Sequence, residues 1–201
     1  MTTDFIADYL DEVRWIADHL DRRRIQQLVE LLADVRASGG RLFIIGVGGS
    51  AGNASHAVND FRKLAGFEAY APTDNVSELT ARINDEGWDT CLANWLTASR
   101  LHSRDALCVL SVGGGDVERG VSVSLVRAID LARGVGARVC GIVGRDGGYT
   151  AQAADVCLIV PPLRPSTITA HAESFQAVIW HLVVCHPLLK IAETKWEQLE
   201  K

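Results

Sequence analysis

Two glycine-rich turns and two pairs of polar side chains are the parts of this sequence that could do chemistry. The first turn, Gly46-Val47-Gly48-Gly49-Ser50, follows the apolar run 42–46 and precedes a stretch of helical spacing. Strand, glycine turn, helix is the arrangement that aims unpaired backbone N–H groups at an anion, and Ser50 adds a hydroxyl at the helix start. On that helix His56 and Asp60 stand four residues apart and so share a face, read here as one turn above the anion-binding end. Glu173 and His181, eight apart in a later helical stretch, span two turns and can face one cavity. His171, in the first turn of that stretch, either substitutes for Glu173 or is an exposed polar residue near the helix start. The second turn, Val112-Gly113-Gly114-Gly115-Asp116, can also present backbone amides as an anion nest. A third, Gly144-Arg145-Asp146-Gly147-Gly148, reads more simply as a structural strand-to-helix turn.

Those turns need a scaffold, and the apolar pattern supplies one. Runs at 42–46, 67–71, 105–111, 137–143 and 155–160 read as strands. Each is continuously apolar rather than alternating, the mark of parallel strands covered on both faces. Helical spacing fills the intervals 51–65, 75–83, 89–99, 117–135 and 144–154, with Asn84-Asp85-Glu86-Gly87 as a polar turn. A last helix, 170–189, follows a loop holding Pro161, Pro162 and Pro165. Two more helices, 5–20 and 25–35, precede the first strand, so another subunit is expected to cover part of their apolar surface. The pattern predicts a doubly wound, three-layer α/β/α sandwich with a five-stranded parallel sheet, ligands gathering at the carboxyl ends of its strands. No repeat or linker divides it, which makes 1–201 a single domain with 1–38 at an oligomer interface.

Composition narrows the function classes. A chain of 201 residues, 48 % hydrophobic and 22 % charged, buries a full core and is ordinary for a soluble globular protein. A net charge of −5 without a Lys/Arg block argues against a nucleic-acid surface, and Arg22-Arg23-Arg24 reads as a solvated linker between helices. No signal-peptide pattern opens the chain, and no run approaches about 18 uninterrupted apolar residues, so neither a leader nor a membrane span is expected. Five cysteines without a CxxC, three of them inside strand-like runs, suit a reducing compartment, the cytoplasm. The five tryptophans read as packing residues.

The run Gly46-Val-Gly-Gly-Ser50 followed by His56-Ala-Val-Asn-Asp60 resembles the SIS (sugar isomerase) domain family, and within it the phosphoheptose isomerases, which interconvert sedoheptulose 7-phosphate and a heptose phosphate. The likeness covers nearly the whole chain. It implies a five-stranded parallel sheet, a homotetramer with active sites between subunits, and one zinc or other divalent ion per subunit. It implies His56, Asp60, Glu173 and His181 as metal ligands, Asp60 replacing a family glutamate that is both ligand and base, and Glu173 replacing a glutamine. Both exchanges keep an oxygen donor, so two histidines and two oxygens still suit tetrahedral zinc. Gly48, Gly49, Asn84 and Asp85 match substrate-contacting positions, and Ser50, Ser111, Gly113, Gly114, Gly115 and Glu173 complete the expected contacts. The second turn departs from the family. A phosphate-holding Ser-Thr-Ser-Gly-Asn-Ser run is replaced by Ser111-Val-Gly-Gly-Gly-Asp116-Val-Glu118, leaving backbone amides and one of Arg119, Arg145 or Arg164 to compensate.

An aldose–ketose isomerisation needs a base to move a proton between C1 and C2 through an enediol, and a second group to manage the two oxygens. Asp60 is the expected base and His181 its partner acid. The expected ligand is a sugar phosphate, with no nucleic acid and no membrane. Two rival readings follow from the altered second turn: a non-catalytic phosphosugar-binding module, and an isomerase or lyase for a different sugar.

Overall fold

The computed structural model describes residues 4–199. Five strands, β1 (Leu42–Ile45), β2 (Ala69–Tyr70), β3 (Ala106–Ser111), β4 (Arg138–Val143) and β5 (Val156–Ile159), form one sheet in the order β2-β1-β3-β4-β5. Every neighbouring pair is parallel, with Ile45 opposite Val109 and Ser111 opposite Val143. The strand order reverses between β1 and β3, so the two crossovers leave in opposite directions and open a crevice at the carboxyl ends. Both glycine turns leave the sheet there.

Around it lie α1 (Phe5–Asp18), α2 (Arg22–Ala37), α3 (Gly49–Ala65), α4 (Val76–Glu86), α5 (Trp88–Ala98), α6 (Val123–Gly134), α7 (Gly148–Ala153), α8 (Ile168–Cys185) and α9 (Lys195–Leu199). Side chains of a strand alternate between faces. Leu42, Ile44, Cys108, Leu110, Ile142 and Leu158 therefore share a core with α2, α3 and α8. Phe43, Ile45, Leu107, Val109 and Val139 share the opposite core with α5 and α6. Each fully buried Leu, Ile or Phe contributes about 1.5–3 kcal/mol, and the two cores make the three layers. Asp105 anchors the amino ends of β1 and β3: fully buried, it accepts from the Arg41 amide (2.9 Å), Arg41 Nη2 (2.8 Å) and the His102 amide (3.0 Å). Burial alone would raise its carboxyl, but these donors outweigh it and hold Asp105 below the usual carboxylate range.

Several element boundaries differ from the sequence pattern, each for a local reason. Helix α6 starts at Val123 rather than at 117. Residues 116–121 instead form a small hairpin closed by the Asp116–Val121 bridge, with the Asp116 side chain accepting from the Arg119 amide. Val117 and Val121 mimic helical spacing, yet both are exposed. Helix α4 runs on through Glu86, since Arg82 pairs with both Glu78 and Glu86 one turn to either side, so Asn84 and Asp85 sit in its last turn and not in a polar loop. Arg22, Arg23 and Arg24 are the first turn of α2, capped by the Asp21 side chain, rather than a linker. Helix α8 stops at Cys185, because the residue before Pro187 is pushed to extended backbone. Among the described residues no helix is long and apolar enough to cross a membrane.

Candidate active site

Helices α3 and α8 lie side by side in the same direction, and a polar seam sets their register. Asn53 Nδ2 donates to the Glu173 carbonyl and to Gln176 Oε1, both at 2.9 Å, while Gln176 Nε2 donates to the buried Ser50 hydroxyl at 3.1 Å. Two turns further on, that register brings three side chains together. His56 Nε2 lies 4.0 Å and His181 Nε2 3.7 Å from Asp60 Oδ2, and the three ligand atoms fall within 4.8 Å of one another.

The surroundings orient each member. His181 Nδ1 lies 2.7 Å from the Ala177 carbonyl, an acceptor only, so Nδ1 carries a proton and Nε2 is the ring nitrogen that faces Asp60. Trp180 stacks on His181 (centroids 3.5 Å apart) and meets His56 edge-on (4.7 Å), clamping both rings. Asn59 Nδ2 donates to Asp60 Oδ1 at 2.9 Å, which leaves Oδ2 for the histidines. The Asp60 side chain is 14 % exposed against 59 % for His56 and 48 % for His181, so a carboxylate lies behind two accessible imidazoles. Two nitrogens and one carboxylate oxygen converging on one point form the donor set of a three-ligand zinc or similar divalent site with an open position.

Glu173 is not part of this cluster, contrary to the expectation that it completes the ligand set. Its carboxylate lies against Gly49, so close that a β-carbon there would come within 2.7 Å of both oxygens. It occupies the amino end of α3, where the helix dipole favours a negative group. Ser50 likewise turns inward to Gln176 and is 1 % exposed, so its hydroxyl does not face a ligand. Glu173 thus places a negative charge beside the first turn, while Gly48 and Gly49 remain exposed and no hydrogen bond joins its carboxylate to the turn's amides among the described residues. His56 and Asp60, seven and eleven residues beyond Gly49, stand roughly 10 and 16 Å along the helix, further than the one turn expected. His171 is neither a substitute ligand nor exposed: it is 2 % accessible, its Nε2 bonding Glu12 Oε2 at 2.7 Å. Arg164 also pairs with Glu12, and with Asp8, pinning α1 to the start of α8.

The second glycine turn opens onto a cleft of about 820 Å³, lined by both loops that leave β3 and β4. Gly113 and Gly115 line it, and Ser111 reaches it. The Ser111 hydroxyl accepts from the Gly114 amide at 3.0 Å, and the Gly114 carbonyl accepts from the Thr150 hydroxyl at 2.7 Å, so Gly114 locks the turn instead of facing the cleft. None of the three clustered residues lines this cleft, nor do Asn84 and Asp85, which bond each other on the surface of α4 at 2.8 Å. Sequence reading missed the Trp180 clamp and the Asn59 and Ala177 partners. Only Asn59 left a signal, as the amide neighbouring Asp60; the others depend on packing.

Comparison with known proteins supplies the family. The SIS domain profile matches residues 8–144. The phosphoheptose isomerase of Geobacter sulfurreducens is 34 % identical over 193 residues, covering 90 % of this chain and 94 % of that protein. The phosphoheptose isomerase of Syntrophotalea carbinolica is 33 % identical over 180 residues, covering 85 % and 88 %. The solved structure of the phosphoheptose isomerase from Neisseria gonorrhoeae superposes with a TM-score of 0.76 at 27 % identity, covering 89 % of this chain and 92 % of that one. A five-stranded parallel sheet, helices on both faces and a profile match over most of its length identify the chain as a member of the SIS domain family.

Proposed function

We propose that the protein is an aldose–ketose isomerase of a sugar phosphate, converting sedoheptulose 7-phosphate to a heptose 7-phosphate through an enediol. The observation that carries this reading is the convergence of His56, Asp60 and His181 on the α3–α8 seam. The names of the similar proteins supply the substrate class. Asp60 takes the proton from C1 of the ketose and returns it to C2. The O1 proton moves to O2, carried by His181 when its single Nε2 lone pair is free and passed directly between the two oxygens when that lone pair holds a cation, so the net change is one proton moved on carbon and one on oxygen. His56, Asp60 and His181 would hold a divalent cation, zinc fitting the donor set best, and such an ion supplies electrostatic stabilisation of the developing enediolate. Trp180 and Asn59 keep the three groups in place.

We place the phosphate in the cleft at the second turn, since the Glu173 carboxylate beside the first would repel it. The cluster and the cleft are separate on one protomer, which supports a homo-oligomer, a tetramer in our reading, whose subunits complete the site together. The exposed apolar residues Phe5, Ile6, Leu10 and Trp15 of α1 and Val178 and Leu182 of α8 suit such an interface, within a single domain spanning 1–201. The five free cysteines suit the cytoplasm. A coupled assay with sedoheptulose 7-phosphate, with and without added zinc, tests the proposal. Metal-dependent aldose formation is expected. Sugar-phosphate binding without turnover, in the metal-loaded protein, would overturn it in favour of a binding module, the reading that the loss of loop hydroxyls supports.

A further inference from the structure

We infer that Arg145 binds the substrate's phosphate dianion and sets the protein's selectivity for phosphorylated sugars. The inference rests on the sugar-phosphate reading above and assigns to one side chain a task that the second glycine turn, stripped of its hydroxyls, cannot perform alone.

Three arginines could serve, and the structure separates them. Arg164 is committed to Glu12 and Asp8 on α1. Arg119 lies on the hairpin, its Nε 3.6 Å from Asp116 Oδ2. Arg145 has no hydrogen bond or ion pair among the described residues, although it lines the cleft beside Gly113, Gly115 and Ser122. Its Cδ packs 3.7 Å from where a Gly113 β-carbon would stand, so the side chain runs over the glycine turn itself. The adjacent Asp146 is turned back to the Gly148 amide at 3.2 Å. The amides of Gly113 and Gly115 make no hydrogen bond among the described residues, which puts two free N–H donors beside an uncommitted guanidinium.

The backbone adds an independent observation. Arg145 has φ +51° and Ser122, also lining the cleft, φ +52°. Non-glycine residues in the left-handed region cost of order 1–3 kcal/mol and concentrate where a ligand is held. Gly144, Gly147 and Gly148 stand in the same loop, and glycine would take this conformation without strain, yet position 145 carries a long cationic side chain. A planar guanidinium offers paired donors that match phosphate oxygens, and its charge offsets the Asp116, Glu118 and Asp146 carboxylates around the cleft.

The test is Arg145→Gln beside Arg145→Lys and Arg145→Gly, the last relieving the strained φ and so guarding against a folding artefact. Binding of inorganic phosphate is followed by calorimetry, and KM and kcat for sedoheptulose 7-phosphate by coupled assay. Arg145→Gln and Arg145→Gly should weaken phosphate binding and raise KM roughly 10- to 100-fold with kcat changed less than about threefold, and Lys should recover part of the loss. Arg127→Gln, an exposed cation on α6, should leave both unchanged. The phosphate titration needs no turnover, so a wild type that binds phosphate yet isomerises nothing refutes the catalytic reading while still testing Arg145. Unchanged phosphate affinity in Arg145→Gln, loss in Arg119→Gln instead, or a wild type blind to phosphate would each overturn the assignment.

Discussion

At the first glycine turn α3 begins against the Glu173 carboxylate, with Ser50 buried beneath it; at the second, the loop opens onto a broad cleft under the unpaired Arg145. Both turns follow a buried parallel strand and both are rich in glycine, but the first runs straight into α3 while the second passes through the 116–121 hairpin before α6. Similar composition therefore serves different ends. An acid on the neighbouring helix stands against the positive end of α3, where its charge opposes an incoming anion, and the buried Ser50–Gln176 bond makes the first turn a packing joint for the α3–α8 seam. At the second turn the Asp116, Glu118 and Asp146 carboxylates also line the cleft, but there Arg145, without an ion pair among the described residues, offsets them. The suitability of a glycine turn for an anion depends on the charges set around it as much as on its own amides.

The largest expected effect falls on the seam. Asp60→Asn should lower kcat roughly 10³- to 10⁴-fold, about 4–5.5 kcal/mol of transition-state stabilisation, with sugar-phosphate affinity nearly unchanged. Equal loss of binding and turnover would make Asp60 a ligand only and would blur the division of labour between the two regions. On the cleft side, Gly114→Ala should cost about 3–5 kcal/mol of stability, read as the denaturation midpoint. Gly114 has φ +73°, and a β-carbon there would stand 2.0 Å from the Gly147 carbonyl, a backbone atom that cannot swing away. A fully folded Gly114→Ala protein would show the second turn to be more pliable than its hydrogen bonds imply.

Acid should separate the two regions. The Glu12 carboxyl, which burial would raise, is held below its usual range by the His171, Thr167 and Arg164 hydrogen bonds, and it fastens α1 beside the seam. A carboxyl with a lowered folded-state pKa contributes stability that is complete above its unfolded value, near 4, and is lost as pH falls through the folded value. Below about pH 4 amide exchange should accelerate in α1 before α6 and α7. Simultaneous loss would mean that Asp105, under the same sign of shift and central to the sheet, gives way first.

The smallest effect sharpens the contrast most directly. Glu173→Gln removes the charge beside the first turn, worth about 0.3–1 kcal/mol at a helix amino end. Metal content should not change, because Glu173 stands outside the His56–Asp60–His181 cluster. Inorganic phosphate should inhibit the variant a few-fold more strongly. A loss of bound metal would return Glu173 to the ligand set.

Much of this molecule was legible without coordinates. Continuous apolar runs place all five strands, since burial on both faces of a parallel sheet is a property of each run alone. His56 and Asp60 are an i, i+4 pair on any helix, so their shared face follows from spacing. His181 is different: its arrival beside them depends on how α8 slides against α3, which the Asn53, Gln176 and Ser50 bonds decide. Glu173 carried a ligand's chemistry and a plausible spacing, yet that register delivers it to Gly49 two turns away from the cluster. The helix expected from 117 failed because valines at helical spacing cannot outvote a glycine-closed hairpin whose apolar side chains nothing buries.

What the sequence determined, then, is everything with a short period: strand identity, sheet class, glycine turns and the α3 pair. What only the tertiary structure decided is which acid stands with the two histidines, which lies against a glycine turn, and which arginine lacks an ion pair among the described residues. Those outcomes turn on contacts between residues more than a hundred positions apart, and an ångström-scale choice of helix register has no signature in local composition.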